Sequence, residues 1–471
     1  MVAFTSRIHR FTAVVLVLAC TMVVHPKVAA ATPVPPTVAN MYDSNLAFPK
    51  IDKVHVMGES FNMHYISTVT VSGTIYAYYI VHKPGDLFAT GLATSTDGLN
   101  WTNHGTVVDN GPAGSWDSRL ASFPGIAYVN GTFYLVYEGA GTTAANPGDV
   151  GLATSTDGVN FAKNAGPLLT HQTTGWESTN IGTPSLVYEA NTWYLFYHGF
   201  NGSIVQIGVA SGSSLTSLSR GANPIVPAGP AGAWDAGTAG KRDIVKHGSY
   251  YYMAYEGSTE QPYDTAKWSS GLARASSLLG PWTKYSQNPV LPQVNGFGND
   301  GPTFLTVGGN EYLYYRSVGG SGSVTRRALF ADEATGGLGQ SYNAATSPNH
   351  IIGSAVSGAW RTTTSDGSNF ATYGPYTTAT PVDWATAVFK LSIDNNVADS
   401  APVATLDVYD ATTGTEIVTR TIKRNQFTAA NHAEYFIVPF WNSPALAGHQ
   451  LEFRTNVVGN ATLSQTAYGT D

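Results

Sequence analysis

Charge and cysteine are both scarce in this chain. Among 471 residues there are 24 Lys and Arg, 31 Asp and Glu, and one cysteine. A net charge of −7 without a basic run argues against nucleic acid as a partner. Cys20 lies in an apolar N-terminal run, so the remainder of the chain offers neither a disulfide nor a thiolate. There is no Gly-rich phosphate loop after a strand, no His-Glu-x-x-His and no cysteine ligand set. No cofactor or metal is therefore expected. No later stretch is apolar enough to span a membrane.

Residues 1–31 read as a secretory signal. Arg7, His9 and Arg10 form a basic start, and residues 11–24 are apolar but too short for a mature membrane span. Small residues at 28–31 offer a cleavage site. The protein is expected to be secreted. Val17-Leu18-Ala19-Cys20, which resembles a lipoprotein box, leaves anchoring through Cys20 as the alternative. Residues 32–42, with Pro33, Pro35 and Pro36, are expected to be an extended linker.

Gly (50) and Tyr (26) are abundant instead, which suits an all-β chain with many turns. One phrase recurs five times, most clearly as Gly131-Thr132-Phe133-Tyr134-Leu135-Val136-Tyr137-Glu138-Gly139. Its last tyrosine aligns with Tyr79, Tyr197, Tyr255 and Tyr315, at steps of 58, 60, 58 and 60 residues. Constant spacing of this length marks one structural unit stacked five times. Each unit pairs two strands across a Gly or Asn turn, such as Asn130-Gly131. A third strand comes next and ends at an Asp-Gly turn, as in Gly151-Leu152-Ala153-Thr154-Ser155 before Asp157-Gly158. Short antiparallel strands repeated radially predict a five-bladed β-propeller over residues 43–345. The fifth unit ends early, so residues 43–57 are expected to supply its outer strand.

Seven residues before each inner strand stand Glu59, Asp117, Glu177, Asp235 and Asn295, three of them after Trp116, Trp176 and Trp234. In a propeller, one register forms one ring about the axis, so these acids are candidates for a funnel. The alternative is a brace, in which each indole fills a gap and each carboxylate caps a turn. Asp243 and Asp300 join them because they break the repeat by adding charge. General acid–base chemistry between two carboxyl groups needs one of them protonated and one ionised. The pair is sought among Asp117, Glu177, Asp235, Asp243 and Asp300. Glu59, Trp116, Arg119, Trp176, His198, Trp234, Arg242, Glu256 and Arg316 are candidates to hold sugar. Glu138 and Glu256 are placed as orienting residues, one strand further from the axis.

These strand phrases resemble the propellers of glycoside hydrolase families 43, 32, 62 and 117. The third repeat, from Trp176-Glu177 to Tyr197-His198-Gly199, is similar to a family 130 blade. Asp300-Gly301-Pro302 is similar to the Glu-Gly-Pro that carries the family 43 general acid, though in the fifth repeat and with Asp. The family 43 Asp-Pro base has no match, since Tyr65 and Thr183 hold those places. The resemblance implies a secreted glycosidase with a carbohydrate substrate. A lectin-like propeller that binds without cutting is the alternative.

From about residue 346 to 471 longer alternating strands appear, at 386–393, 403–409, 416–422, 434–440 and 450–455. They predict a jelly-roll β-sandwich. Trp360, Tyr373, Tyr376 and Trp384 are its candidates for a sugar platform or, alternatively, for core and interface.

Overall fold

The computed structural model describes residues 34–52, 63–143, 147–259, 267–294, 298–319, 322–332, 334 and 338–470. Residues 1–31, Glu59 and Asn295 lie outside them.

Each repeat folds as four antiparallel strands. The second blade is built from Leu120–Val129, Thr132–Ala140, Asp149–Ser155 and Ala162–Lys163. Its first turn takes φ of 50° at Asn130 and 81° at Gly131, the conformation for which an Asn-Gly pair is suited. Inner strands His64–Val71, Leu120–Val129, Asn180–Glu189, Thr238–His247 and Gly298–Val307 neighbour one another in that order, and the last lies against the first. The expected outer strand of the fifth blade is present. Phe48–Asp52 pairs antiparallel with Gly322–Ala331, and Asp52 meets Arg327 at 2.8 Å. Tyrosine hydroxyls stitch neighbouring blades, with Tyr78 donating to Gly158 O and Tyr314 to Gly98 O, both at 2.8 Å.

The expected linker differs. Residues Val38–Ser44 form a helix capped by Thr37, and Val38, Met41 and Tyr42 pack into the core of the fourth and fifth blades. Proline restrains the residue before it, not those after, and positions 38, 41 and 42 carry helical apolar spacing.

The C-terminal strands form a six-stranded and a five-stranded sheet around one apolar core that includes Phe389, Leu406, Phe436 and Phe453. Strand Gln340–Asn343, expected within the propeller, already belongs to this part and pairs with Leu463–Thr470. Trp384 is no sugar platform. It is 1% exposed and packs with Ile51 and Val294 of the propeller. The Trp360 ring stacks on His350 while its N–H donates to Ile352 O at 2.8 Å.

Candidate active site

The Trp-acid register builds braces. Asp117 accepts from Tyr137 at 3.1 Å and pairs with Lys163 at 2.5 Å. Asp235 accepts from Tyr255 at 3.0 Å and pairs with Lys284 at 2.6 Å. Glu177 pairs with Arg220 at 2.5 Å. Each cation ends the fourth strand of the same blade, so the acid ties the blade's outer edge to its second strand. Trp116, Trp176 and Trp234 lie over the shared tyrosines, with ring centroids 5.8, 5.7 and 5.2 Å apart. They also occupy the space above a glycine. A Cβ on Gly139, Gly199 or Gly257 would come within 2.1, 2.3 or 2.5 Å of an indole. These three acids and three tryptophans, sought as funnel residues, are absent from the funnel lining. Their partners sit in their own blade, and nothing turns them toward the axis.

The funnel is built one register later. A cavity of about 650 Å³ opens at the axis, and the residue after each shared tyrosine lines it: Ile80, Glu138, His198, Glu256 and Arg316. Side chains alternate along a strand, so where Tyr137 and Gly139 face the brace, Glu138 faces away from it. Each inner strand slips register opposite this residue, between His64 and Ser67, Ser122 and Gly125, Gly182 and Ser185, Ala239 and Arg242, and Asp300 and Thr303. Three non-glycine bulge residues take positive φ: Tyr65 at 51°, Phe123 at 51° and Thr183 at 41°. Such backbone costs about 1–3 kcal/mol per residue and gathers at functional sites. All three line the cavity, as do Trp268 and Phe88.

The glutamates reach across blades. Glu138 Oε2 accepts from Thr183 N at 2.9 Å, and its Oε1 has no protein partner among the described residues. Gly182 permits this approach, because a Cβ there would stand 2.0 Å from Oε2. Glu256 accepts from Lys241 N at 3.0 Å and Gly301 N at 3.1 Å. Burial raises Glu138 from 4.5 to about 7, with a further push from Glu256 against the pull of Thr183 N–H, Arg242 and Arg119. Burial also raises Glu256 to about 7, aided by Asp300. His198, whose Nδ1 meets Thr183 Oγ1 at 2.9 Å, is lowered to about 3 by burial and then by Arg242, so it is neutral.

Asp300 lies beside the cavity rather than in it. Arg316 binds both of its oxygens, at 2.8 Å through Nε, and the Tyr65 hydroxyl stands 3.5 Å away. Asp243 is directed to the next blade, where it accepts from Phe304 N at 2.8 Å. Arg242 likewise does not line the funnel. It holds the Thr183 bulge by donating to Thr183 O at 2.7 Å and Oγ1 at 2.8 Å. Of the residues sought, the cavity thus gathers Arg119, His198, Glu256 and Arg316. Glu138 and Glu256, expected as orienting residues one strand further from the axis, both line the cavity itself, a placement that follows from the period-two alternation after Tyr137 and Tyr255. Among the described residues no three of His, Cys, Asp and Glu are grouped to hold a metal.

Comparison with known proteins gives a consistent picture. The sequence model of glycosyl hydrolases family 43 matches residues 67–335. Arabinan endo-1,5-alpha-L-arabinosidase A of Aspergillus aculeatus is 28% identical over 231 residues, which are 45% of this chain and 65% of that protein. The enzyme of the same name from Aspergillus niger is 26% identical over 199 residues, 41% of this chain and 58% of that protein. The matched part thus spans less than two thirds of either relative. A solved structure named simply Glycoside hydrolase superposes with a TM-score of 0.51 at 16% identity. The superposition covers 64% of this chain and 96% of that one, and it supports the propeller fold alone.

Proposed function

This chain belongs to glycosyl hydrolases family 43, and from that premise we propose that it is a glycosidase whose acid and base are Glu138 and Glu256. The observation that carries this is the pair itself: two buried carboxyls on one cavity, both raised to about 7, Glu138 by burial and by Glu256, and Glu256 by burial and by Asp300. With both near 7, the state with one protonated and the other ionised is populated around neutral pH. Glu138 is the general acid, because it accepts a single backbone bond and presents Oε1 to the cavity. Glu256 is the ionised partner, because two backbone N–H groups stabilise its carboxylate. The acid protonates the leaving oxygen, and the partner activates water or attacks the sugar carbon. Arg316, fixed by Asp300 and Tyr65, and neutral His198 orient hydroxyls. Tyr65, Phe123 and Trp268 offer apolar faces to sugar rings.

The substrate is a poly- or oligosaccharide. The names of the two curated relatives make α-1,5-linked arabinan the first polymer to assay, followed by xylosides and mannosides. Purified protein should release reducing ends from one of them, and Glu138→Gln and Glu256→Gln should each remove that activity. Retained turnover in both variants would refute the assignment, and binding without cleavage would favour the lectin-like reading. Export through residues 1–31 completes the proposal, and mass measurement of the processed N-terminus tests it.

A further inference from the structure

A second cavity, of about 350 Å³, lies where the fourth blade meets the C-terminal sheets. Arg420 and Gln287 line it, with Thr421 and Gln293 beside them and Pro292 and Val438 as apolar wall. Arg420 stands on the edge strand Thr415–Lys423. It donates to Ile437 O at 2.6 Å and to Gln287 O and Oε1, both at 3.2 Å. A guanidinium has five N–H groups, so two remain for something else.

Two independent features point to a ligand. First, Arg420 has no carboxylate partner among the described residues, and burial lowers it to about 10 with only the Tyr285 phenol opposing. The side chain is half-buried, and a charge partly withdrawn from water favours a counter-charge. Second, Gln287 is 3% exposed, and its Nε2 has no acceptor. The donation from Arg420 fixes Oε1, so Nε2 is a true unmatched donor and not an inverted amide. Both side chains line one cavity of a size for a single ring.

We propose that this interdomain cavity binds the carboxylate of a sugar acid, with Arg420 and Gln287 Nε2 donating to the carboxylate and the neighbouring Thr421 and Gln293 to ring hydroxyls. A planar guanidinium matches a carboxylate in two-pronged geometry. The site shares no residue with the funnel, so it stands or falls apart from the proposed catalytic pair.

Calorimetric titration of the full chain at low salt tests it, with sodium galacturonate as ligand and galactose and sodium acetate as controls. Galacturonate should bind saturably, and galactose and acetate at least about tenfold more weakly, since each lacks one half of the contacts. Gln287→Glu places a carboxylate beside Arg420 and keeps the fold, as an unchanged or higher Tm would confirm. It should weaken galacturonate by about tenfold or more by supplying the counter-charge internally. Absence of galacturonate binding to the unaltered chain, equal binding of acetate, or undiminished binding to the Gln287→Glu variant would each overturn the proposal.

Discussion

The same blades carry two acids 21 residues apart, Asp117 with Glu138 and Asp235 with Glu256, and their settings are opposed. The first of each pair meets a Lys and a tyrosine hydroxyl and holds the blade together. The second meets backbone N–H groups, of the next blade for Glu138 and of its own and the next blade for Glu256, and faces the funnel. Both are buried. What separates them is the company: a paired cation holds a carboxylate in its charged form, whereas burial beside another carboxyl raises its affinity for a proton against the pull of the backbone N–H groups. Repetition therefore marks structure more reliably than chemistry here. The brace acid recurs on three successive blades, while the funnel register changes residue on every one: Ile80, Glu138, His198, Glu256 and Arg316.

The sharpest test of that contrast is to neutralise one acid of each kind. Glu138→Gln should lower kcat by on the order of 10²–10⁴-fold while Tm falls little. Asp117→Asn should leave kcat within a few-fold yet destabilise the chain by about 1–3 kcal/mol, because Lys163 loses its partner. Steady-state kinetics and denaturant melts on the two variants decide it, and the reverse pattern would exchange the roles.

Next in size is the response to pH. Glu138 and Glu256 bind protons more tightly folded, at about 7, than their ordinary 4.5. Activity should accordingly decline as pH rises through about 7 and the acid loses its proton. Stability follows the same sign: the folded state holds the extra protons, so ΔG of unfolding falls as pH climbs from 4.5 through 7 and levels above it. Glu138→Gln should flatten that slope, as urea titrations at pH 5 and pH 8 would show.

Smaller still should be Gly139→Ala, whose Cβ would stand 2.1 Å from Trp116. Displacing the brace indole should cost about 1–3 kcal/mol, with KM unchanged if the brace is separate from the funnel. Least of all, Asp52→Asn at the closing strand weakens a partly exposed pair with Arg327, by roughly 0.2–1 kcal/mol in thermal unfolding.

The repeat makes the propeller legible, including the borrowed outer strand, because a unit with one strand too few must find it elsewhere. The turns are legible because Asn130-Gly131 admits positive φ at both places. Glu256, His198, Arg119 and Arg316 can be named for the site from sequence. Glu138 is named but set too far from the axis, and Asp117, Glu177 and Asp235 are placed in the funnel although they are absent from its lining. The error comes from choosing the most repeated acid, when Lys163, Arg220 and Lys284 stand 46, 43 and 49 residues further on to neutralise it. Nothing in spacing alone announces which cation will reach which acid.

By itself, the sequence determined the number of blades, the hairpin turns and the register at which the acids recur, because all of these follow from local periodicity. Only tertiary structure decided which acids share a cavity, which are matched by a cation, and that Arg420 meets the fourth blade without a counter-charge. Ion pairing and burial depend on groups brought together from distant parts of the chain, and those distances are properties of the packed blades.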